Sequence, residues 1–336
     1  MHAIRQHAFG PPETLRYEEV PNPVPAAAQV LIRVEAAGLH LIDAKIRGGF
    51  SGGPLVAPEL PMTPGREVAG SVDELGPGVD ERWRGRRVVA HLGQASGGYA
   101  ELAVAPVAAL HEIPEQLSAE AAVAMIGTGR TAVGILDRAA LTAEDVVLVT
   151  AAAGGLGVLF IQAARNAGAL AVGVAGGPAK TERVRALGAD VAVDYTQPGW
   201  PERVREALGE REPTVVLDGV GGELGRAAME LLGPGGRLLL FGFASGTATE
   251  ITTRDLMARG LTVSWAIPRA LRRPGGRREL ETRALAEAAA GRIVPLVGRA
   301  FPLAEAAAAH TALETRATEG KTVLVPGAYA RAASSG

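Results

Sequence analysis

The pattern of apolar residues along the chain changes near residue 118. Before that point, short apolar or alternating stretches such as QVLIRVEAAG are separated by turns rich in proline and glycine. This pattern is typical of half-buried strands. It predicts strands over 3–6, 15–20, 29–37, 68–75, 87–91 and 100–104. The first part of the chain is therefore expected to form a small barrel-like β domain.

After residue 118 the pattern becomes helical and then alternates. Ser118, followed by Glu120 and an apolar run, predicts a helix with Ser118 as its N-cap. From Asp145 onward, apolar strand-like segments alternate with helical ones. Strands are predicted over 146–150, 170–175, 191–194, 215–218, 236–241 and 261–265, with helices between them. Six strands alternating with helices indicate an α/β fold with a doubly wound parallel sheet.

The alternation ends after Trp265. Helices are predicted over 280–289 and 304–314, and a final strand over 321–325. This segment is too short for a third domain. We therefore expect one domain over 1–120, completed by 267–336, and a second over 121–266.

The stretch VVLVTAAAGGLGVLFIQAA, from Val146 to Ala164, predicts a strand, a glycine turn over 151–157 and a helix. Gly154, Gly155 and Gly157 form a variant of the dinucleotide fingerprint. Small residues let the chain reverse tightly, let its backbone approach a pyrophosphate, and let the helix pack on the strand. The start of the helix then offers N–H groups and a positive dipole end to the phosphates.

The residues after the second strand of this unit indicate which cofactor binds. An NAD site places an acidic residue there, about 20 positions after the fingerprint, to bind the ribose 2′-hydroxyl. Here the segment is GVAGGPAK, which has no acidic residue and ends at Lys180, with Arg183 one turn later. Cations without a nearby carboxylate favour a 2′-phosphate, so the sequence predicts NADPH.

Composition narrows the class of protein. The 336 residues are 47% hydrophobic and carry a net charge of −2, which gives no indication of a nucleic-acid or membrane partner. Cysteine is absent, which excludes disulfides and thiolate zinc sites. The first residues contain no apolar run of signal-peptide length, so we expect a cytoplasmic protein.

Taken together, the motifs resemble a known family along nearly the whole chain. AAGLHLIDAKIRGG, PGREVAGSVDELGPGV, GTGRTA, TAAAGGLG, LGAD, LDGVGG, GGRLLLFGFASG and GKTVLVP occur in order. They are similar to the zinc-free quinone oxidoreductases (zeta-crystallin-like) of the medium-chain dehydrogenase/reductase superfamily. The resemblance implies a GroES-like catalytic domain, a Rossmann domain and a C-terminal return to the first domain. It also implies a homodimer that pairs the last Rossmann strand, here 261–265.

The resemblance also assigns residues to the cofactor. Lys180 matches the lysine that binds the 2′-phosphate, and Tyr195 matches the tyrosine that accompanies it. The other implied cofactor contacts are Thr131, Gly154, Gly155, Leu156, Gly157, Gly176, Phe241, Phe243 and Ser245.

Two residues depart from the family pattern. The family usually has Asn at the position of His40, and often Tyr at the position of Lys45. The Asn contacts cofactor or substrate, and a Tyr near this point is the proposed proton donor of some enoyl reductases. His40 and Lys45 are therefore the candidate groups for stabilising charge or delivering a proton.

No metal is expected. In zinc-dependent relatives the position of His40 is a Cys ligand and that of Arg66 is a His ligand, so a permanent cation stands where a ligand should be. A catalytic zinc usually needs three protein ligands. Without metal, cysteine or an evident nucleophile, the chemistry must come from the nicotinamide.

Three functions remain open. The first is metal-free reduction of a quinone by NADPH. The second is reduction of an enone or alkenal, which differs because the product needs a proton on carbon. The third, favoured only by the departures at His40 and Lys45, is a non-catalytic NADPH-binding protein.

Overall fold

The computed structural model describes residues 1–50, 57–93 and 96–327. Its strands are β1 (His2–Gln6), β2 (Leu15–Glu19), β3 (Gln29–Gly38), β4 (Glu67–Leu75), β5 (Arg87–His91), β6 (Leu102–Pro106), β7 (Leu110–Glu112), β8 (Val146–Val149), β9 (Leu170–Ala175), β10 (Val191–Asp194), β11 (Val215–Asp218), β12 (Arg237–Leu240), β13 (Thr262–Trp265), β14 (Val297–Pro302) and β15 (Lys321–Val325).

The helices are α1 (Leu41–Arg47), α2 (Ala119–Ala124), α3 (Arg130–Ala139), α4 (Gly155–Asn166), α5 (Pro178–Ala186), α6 (Trp200–Leu208), α7 (Gly222–Glu230), α8 (Thr253–Arg259), α9 (Gly276–Ala289) and α10 (Ala306–Glu314). The predicted N-cap of α2 is present, because the Ser118 hydroxyl accepts a hydrogen bond from the Ala121 N–H at 3.1 Å. Among the described residues, no helix combines the length and the hydropathy needed to cross a membrane.

The first compact unit comprises Met1–Gly127 and the chain from Leu296 onward. Its sheet has the order β14-β15-β3-β4-β5-β7, and β6 also pairs with β3. β15 lies antiparallel to β3, with Val323 opposite Gly38, so the last strand of the chain extends a sheet formed near its beginning. The apolar faces of these strands enclose a core that includes Ile32, Leu110 and Phe301.

The second unit, Thr128–Pro295, is built on a six-stranded sheet. All its strand pairs are parallel, in the order β10-β9-β8-β11-β12-β13. This is the doubly wound arrangement of a dinucleotide-binding fold, so the predicted fold class is confirmed. The strands are short, continuous apolar runs because helices cover both faces of a parallel sheet.

The two units divide at other positions than the sequence suggested. Residues 267–295 lie in the second unit, where α9 packs against α3. Arg283 pairs with Asp137 at 2.7 Å, and Pro268 fills the space that the missing side chain of Gly134 leaves. Three elements were not predicted from the sequence: α1, β7 and β14.

A buried polar network crosses the first unit. Arg47, 5% exposed, donates to Glu314 at 2.9 Å and to the Gly10 carbonyl at 3.0 Å. It also donates to Nδ1 of His310 at 3.0 Å. His310 is fully buried, lies edge-on to the Tyr99 ring, and has no partner for its Nε2. Its second nitrogen therefore has no group to stabilise a positive charge.

This network predicts how stability depends on pH. Burial lowers the pKa of His310 to about 4, mainly by desolvation, from an ordinary value of 6.5. Between these values the unfolded chain binds a proton that the folded chain does not, so stability falls as pH drops through this window. We expect a loss of about 2 kcal/mol between pH 7 and pH 5.

Urea unfolding at both pH values tests this prediction. His310→Gln should lose less stability than the wild-type protein between pH 7 and pH 5, whereas His7→Gln, which alters an exposed imidazole, should follow the wild type. Equal pH dependence of the wild-type protein and His310→Gln would contradict it.

Candidate active site

The glycine turn lies where β8 passes into α4. Gly154 is the N-cap of α4, and Gly155, Leu156 and Gly157 form its first turn. A β-carbon on Gly157 would lie 2.5 Å from the Ala151 carbonyl oxygen and 2.6 Å from the Ala152 Cα. Close packing of the helix on the turn thus requires glycine there. The first N–H groups of α4 have no carbonyl partner within the helix, and such a helix start favours an anion.

A buried carboxylate holds the next strand end against this turn. Asp218, fully buried at the end of β11, accepts hydrogen bonds from the Thr150 hydroxyl at 2.8 Å and the Val220 N–H at 2.9 Å. Its other oxygen accepts from the Thr249 hydroxyl at 2.9 Å. The sequence analysis missed this residue. An acidic residue that ends a buried strand was the available signal.

The loop after β12 contains the three residues predicted to lie beside the nicotinamide. Phe241 donates its N–H to the Asp218 carbonyl at 2.9 Å and lies edge-on to Phe160, with centroids 5.3 Å apart. Ser245 donates its N–H to the Val220 carbonyl at 2.9 Å. Phe243 is exposed. Thr131, in the first turn of α3, is half-buried.

The predicted 2′-phosphate residues follow two neighbouring strands, Lys180 after β9 and Tyr195 after β10. Lys180 is the third residue of α5, and Gly177, with a φ of +87°, is the N-cap of that helix. A β-carbon on Gly176 would lie 3.0 Å from the Tyr195 hydroxyl, so this hydroxyl lies over the loop. Strands β9 and β10 are neighbours whose carboxyl ends meet at one edge, which is the ligand-binding edge of such sheets.

A second carboxylate that the sequence analysis missed holds this loop. Asp194, the last residue of β10, accepts hydrogen bonds from the Thr196 hydroxyl at 2.7 Å and the Gly177 N–H at 2.9 Å. These donors, the Thr196 hydroxyl first, lower the pKa of Asp194. Asp194 therefore ties the loop that precedes Lys180 to the end of β10.

In the first unit, His40 belongs to a compact group of titratable side chains. Its Nε2 lies 2.6 Å from Glu67 Oε2 and 2.6 Å from Lys321 Nζ. Lys321 Nζ lies 3.2 Å from the same Glu67 oxygen. His40 is the N-cap of α1, and its backbone N–H donates to Asp43 Oδ2 at 2.8 Å. His40 at the start of α1 thus contacts Glu67, the first residue of β4.

The charges of this group follow from burial and proximity. Burial would raise the pKa of Glu67, but His40 and Lys321 outweigh it and hold that pKa well below its usual range. Burial lowers the pKa of Lys321 against the attraction of Glu67. Burial likewise lowers the pKa of His40, which Glu67 opposes and Lys321 reinforces. Glu67 is therefore an anion, while both bases hold their protons less tightly than in water.

Lys45, the other candidate of the first unit, and the nearby Asp43 and Arg47 make contacts of their own. Lys45 is on the exposed face of α1, with its ammonium 6.0 Å from the Phe50 ring centroid. Asp43 is structural, because Oδ2 caps α1 and Oδ1 accepts from Arg66 Nε at 2.9 Å. Arg47 pairs with Glu314 at 2.9 Å.

In the described parts of the chain, no three His, Cys, Asp or Glu side chains group closely enough to hold a metal ion. The carboxylates of this region are paired with cations, Glu67 with Lys321 at 3.2 Å and Asp43 with Arg66 at 2.9 Å.

Two family models match the chain. One, described as the alcohol dehydrogenase GroES-like domain, matches residues 26–115. The other, described as zinc-binding dehydrogenase, matches residues 155–282.

Individual relatives match over nearly the whole length. A 2-haloacrylate reductase of Burkholderia sp is 33% identical over 327 residues, which covers 95% of this chain and 97% of that protein. A quinone oxidoreductase of Sus scrofa is 31% identical and covers 97% of this chain and 98% of its own. The solved quinone oxidoreductase of Escherichia coli, complexed with NADPH, is 30% identical, with a TM-score of 0.81 over 97% of this chain and 100% of its own.

The position of Lys180 predicts a change in cofactor preference. Lys180→Ala should weaken NADPH binding about ten- to a hundredfold, the effect of losing one hydrogen bond to a charged group, and NADH binding far less. Arg185→Ala, in the last turn of the same helix and paired with Glu182, is the control that should leave the ratio of affinities unchanged. Titration calorimetry with both nucleotides checks this, and equal losses for both would refute the 2′-phosphate role.

Proposed function

Because the chain belongs to the zinc-free quinone oxidoreductase-like family of the medium-chain dehydrogenase/reductase superfamily, we propose that it reduces a quinone with NADPH and without a metal. The observation that carries this proposal is the phosphate end of the nucleotide site. Lys180 follows β9 and Tyr195 follows β10, and the segment from the end of β9 to Lys180 contributes no acidic side chain of its own. NADPH, when bound, supplies the hydride.

The residues of the second unit bind NADPH and orient it. The α4 N-terminus binds the pyrophosphate, Lys180 and Tyr195 bind the 2′-phosphate, and Gly176 leaves room for the tyrosine. Thr131, Phe241, Phe243 and Ser245 border the nicotinamide. Asp218 and Asp194 accept backbone N–H groups of the two loops and so fix their positions. Such preorganisation lets binding energy go into orientation.

In the first unit, His40 contacts the acceptor and stabilises the negative charge that hydride addition creates. Its side chain is 21% exposed, whereas Glu67 and Lys321 are 1% and 4% exposed. Lys45 stays a prediction as a second such group. A quinone needs little more help, because water can protonate the hydroquinone anion.

Absence of a metal is part of the proposal. Lys321 Nζ, only 2.6 Å from His40 Nε2, already supplies a positive charge where a cation would otherwise bind that nitrogen. Arg66 stands at the second ligand position of zinc-dependent relatives and is bonded to Asp43.

Reduction of an enone or alkenal is the second candidate. One observation favours it. His40 contacts two titratable side chains, Glu67 and Lys321, and so belongs to a group that can supply a proton. The enolate formed from an enone needs such a donor at its α-carbon, whereas a reduced quinone does not. The similarity to a 2-haloacrylate reductase points the same way, because acrylates are α,β-unsaturated acids.

Parallel assays with a simple quinone and an alkenal at saturating NADPH distinguish these functions. We expect faster turnover with the quinone, and no change after treatment with EDTA. Turnover of the alkenal alone would replace the first candidate by the second. Tight NADPH binding without turnover of either acceptor would identify a non-catalytic protein.

We also propose a homodimer that pairs β13 with its copy across a two-fold axis. Among the described strands, β13 pairs only with β12 and lies at the sheet edge. The N–H groups of Thr262 and Ala266 bond to the β12 side, so the alternation of a strand turns the N–H of Val263 outward. Trp265 is 52% exposed on this strand.

Substitution of Val263 tests this interface. Val263→Pro removes an outward donor and leaves the bonds to β12 in place, so it should convert the dimer to a monomer. Val263→Ala should stay dimeric. Analytical ultracentrifugation measures both. A dimeric Val263→Pro protein, or a monomeric wild type, would contradict the proposal.

A further inference from the structure

Lys321 is an unusual residue for this chain. Of its 34 lysine and arginine residues, only Lys45, Lys180 and Lys321 are lysine. Lys321 is also 4% exposed, and its ammonium lies on a carboxylate that is 1% exposed. Arginine makes such ion pairs more readily, but its guanidinium does not give up a proton in proteins, whereas a buried lysine can. The choice of lysine therefore indicates a group that exchanges its proton.

The contacts of His40 Nε2 show where that proton can go. A neutral imidazole carries one N–H, so Nε2 either donates or accepts. It lies 2.6 Å from Glu67 Oε2, to which it can donate, and 2.6 Å from Lys321 Nζ, from which it can accept. Nε2 cannot donate to Glu67 and accept from Lys321 at the same time. The contact with Glu67 therefore corresponds to a proton on Nε2, and the contact with Lys321 to a proton on Nζ.

From this arrangement we infer that Lys321, His40 and Glu67 form a proton relay, in which Lys321 recharges His40 and His40 protonates the reduced acceptor. The relay rests on the proposed function, because it acts on an acceptor that has received a hydride. It assigns the acceptor class that benefits most, an α,β-unsaturated carbonyl compound.

Burial gives the relay a single outlet. Of the three side chains, only that of His40 has appreciable exposure, at 21%. Two glycines close on the Glu67 carboxylate. A β-carbon on Gly38 would lie 2.5 Å from Oε2, and one on Gly127 would overlap Oε1. The carboxylate is therefore held rigidly, with Lys321 on one side and His40 toward the solvent.

The electrostatics support transfer outward. Burial lowers the pKa of Lys321, which makes its ammonium a stronger acid than in water. Glu67 keeps its negative charge because His40 and Lys321 outweigh its desolvation and hold its pKa well below the usual range. Among the described residues, the other charged or titratable groups that act on these three are Asp43, Arg66, His91 and Tyr99. Of the three relay groups, Lys321 is the one poised to release a proton.

Hydride addition at the β-carbon of the acceptor moves the π electron pair onto the enolate. The Nδ1–H bond of His40 then breaks, and its proton forms a C–H bond at the α-carbon. An N–H of Lys321 breaks as its proton moves to Nε2, so His40 ends neutral. The neutral amine of Lys321 then takes up a proton from water through His40.

Arginine and methionine substitutions separate this role from a structural one. Lys321→Arg keeps the positive charge beside Glu67 but cannot release a proton. Lys321→Met removes both, and the double variant Glu67→Gln/Lys321→Met avoids an unpaired buried anion. Thermal unfolding verifies that each variant folds. General acid catalysis contributes roughly 10²–10⁴-fold, so kcat with an alkenal should fall at least about 100-fold more than kcat with a quinone.

Two further measurements, the pH dependence of kcat and the tautomer state of the His40 ring, change in Lys321→Arg only if a proton is relayed. The alkenal kcat of the wild type should fall at high pH, and Lys321→Arg should lose that limb. In the cofactor-free protein, ¹⁵N NMR of the His40 ring should show exchange between tautomers, and Lys321→Arg should hold the Nδ1–H form. Arg138→Met, which removes an exposed cation bonded to Ser264, is the control that should match the wild type.

The outcomes are distinct. Alkenal activity close to wild type in Lys321→Arg shows that charge alone matters and overturns the relay. Equal losses of kcat with both acceptors also overturn the relay, as does a wild-type protein that reduces the quinone but not the alkenal. The proposed function survives each of these results. A wild type that reduces neither acceptor defeats the proposed function itself and the relay with it.

Discussion

The ion pair between Glu67 and Lys321 is the constraint on which the first unit depends. The two residues are 254 positions apart, and both are almost fully buried. An unpaired buried charge costs several kcal/mol, and the pairing of β15 with β3 brings Lys321 to Glu67 at the start of β4. The same docking brings His40 against both charges. One electrostatic requirement therefore connects the C-terminal return of the chain to the assembly of the group around His40.

The second unit relies on geometry more than on charge. Parallel strands place all their carboxyl ends at one edge, so loops distant in sequence meet there. Two carboxylates, Asp194 and Asp218, then accept backbone N–H groups from those loops. Each satisfies donors that the end of a strand would otherwise leave unpaired. These two carboxylates thus fix the loops at the carboxyl edge of the sheet.

Most of this architecture could be predicted from the sequence, because the spacing of apolar residues and the residues that form turns are local properties. All six strands of the parallel sheet occur within one residue of their expected bounds, as β12 and β13 show. Lys180 could be identified because it is close in sequence to β9. The partners of His40 could not, since Lys321 reaches it only through the pairing of β15 with β3. No local pattern carries that information, and α1 is too short to show a period.

The placement of Arg47 shows the same limit. The acid that Arg47 contacts is Glu314 in α10, more than 250 residues later. Such a pair follows from the tertiary fold and not from the residues close to Arg47 in sequence.

The central claim is that a hydride passes from NADPH to an electron-poor acceptor without a metal. Single-turnover kinetics with NADPH deuterated at its transferable hydrogen test it most directly. We expect acceptor-dependent oxidation of the bound nucleotide that is slower with deuterium than with hydrogen. Nucleotide oxidation that does not depend on the acceptor, or that begins only when a divalent metal is added, would contradict the account.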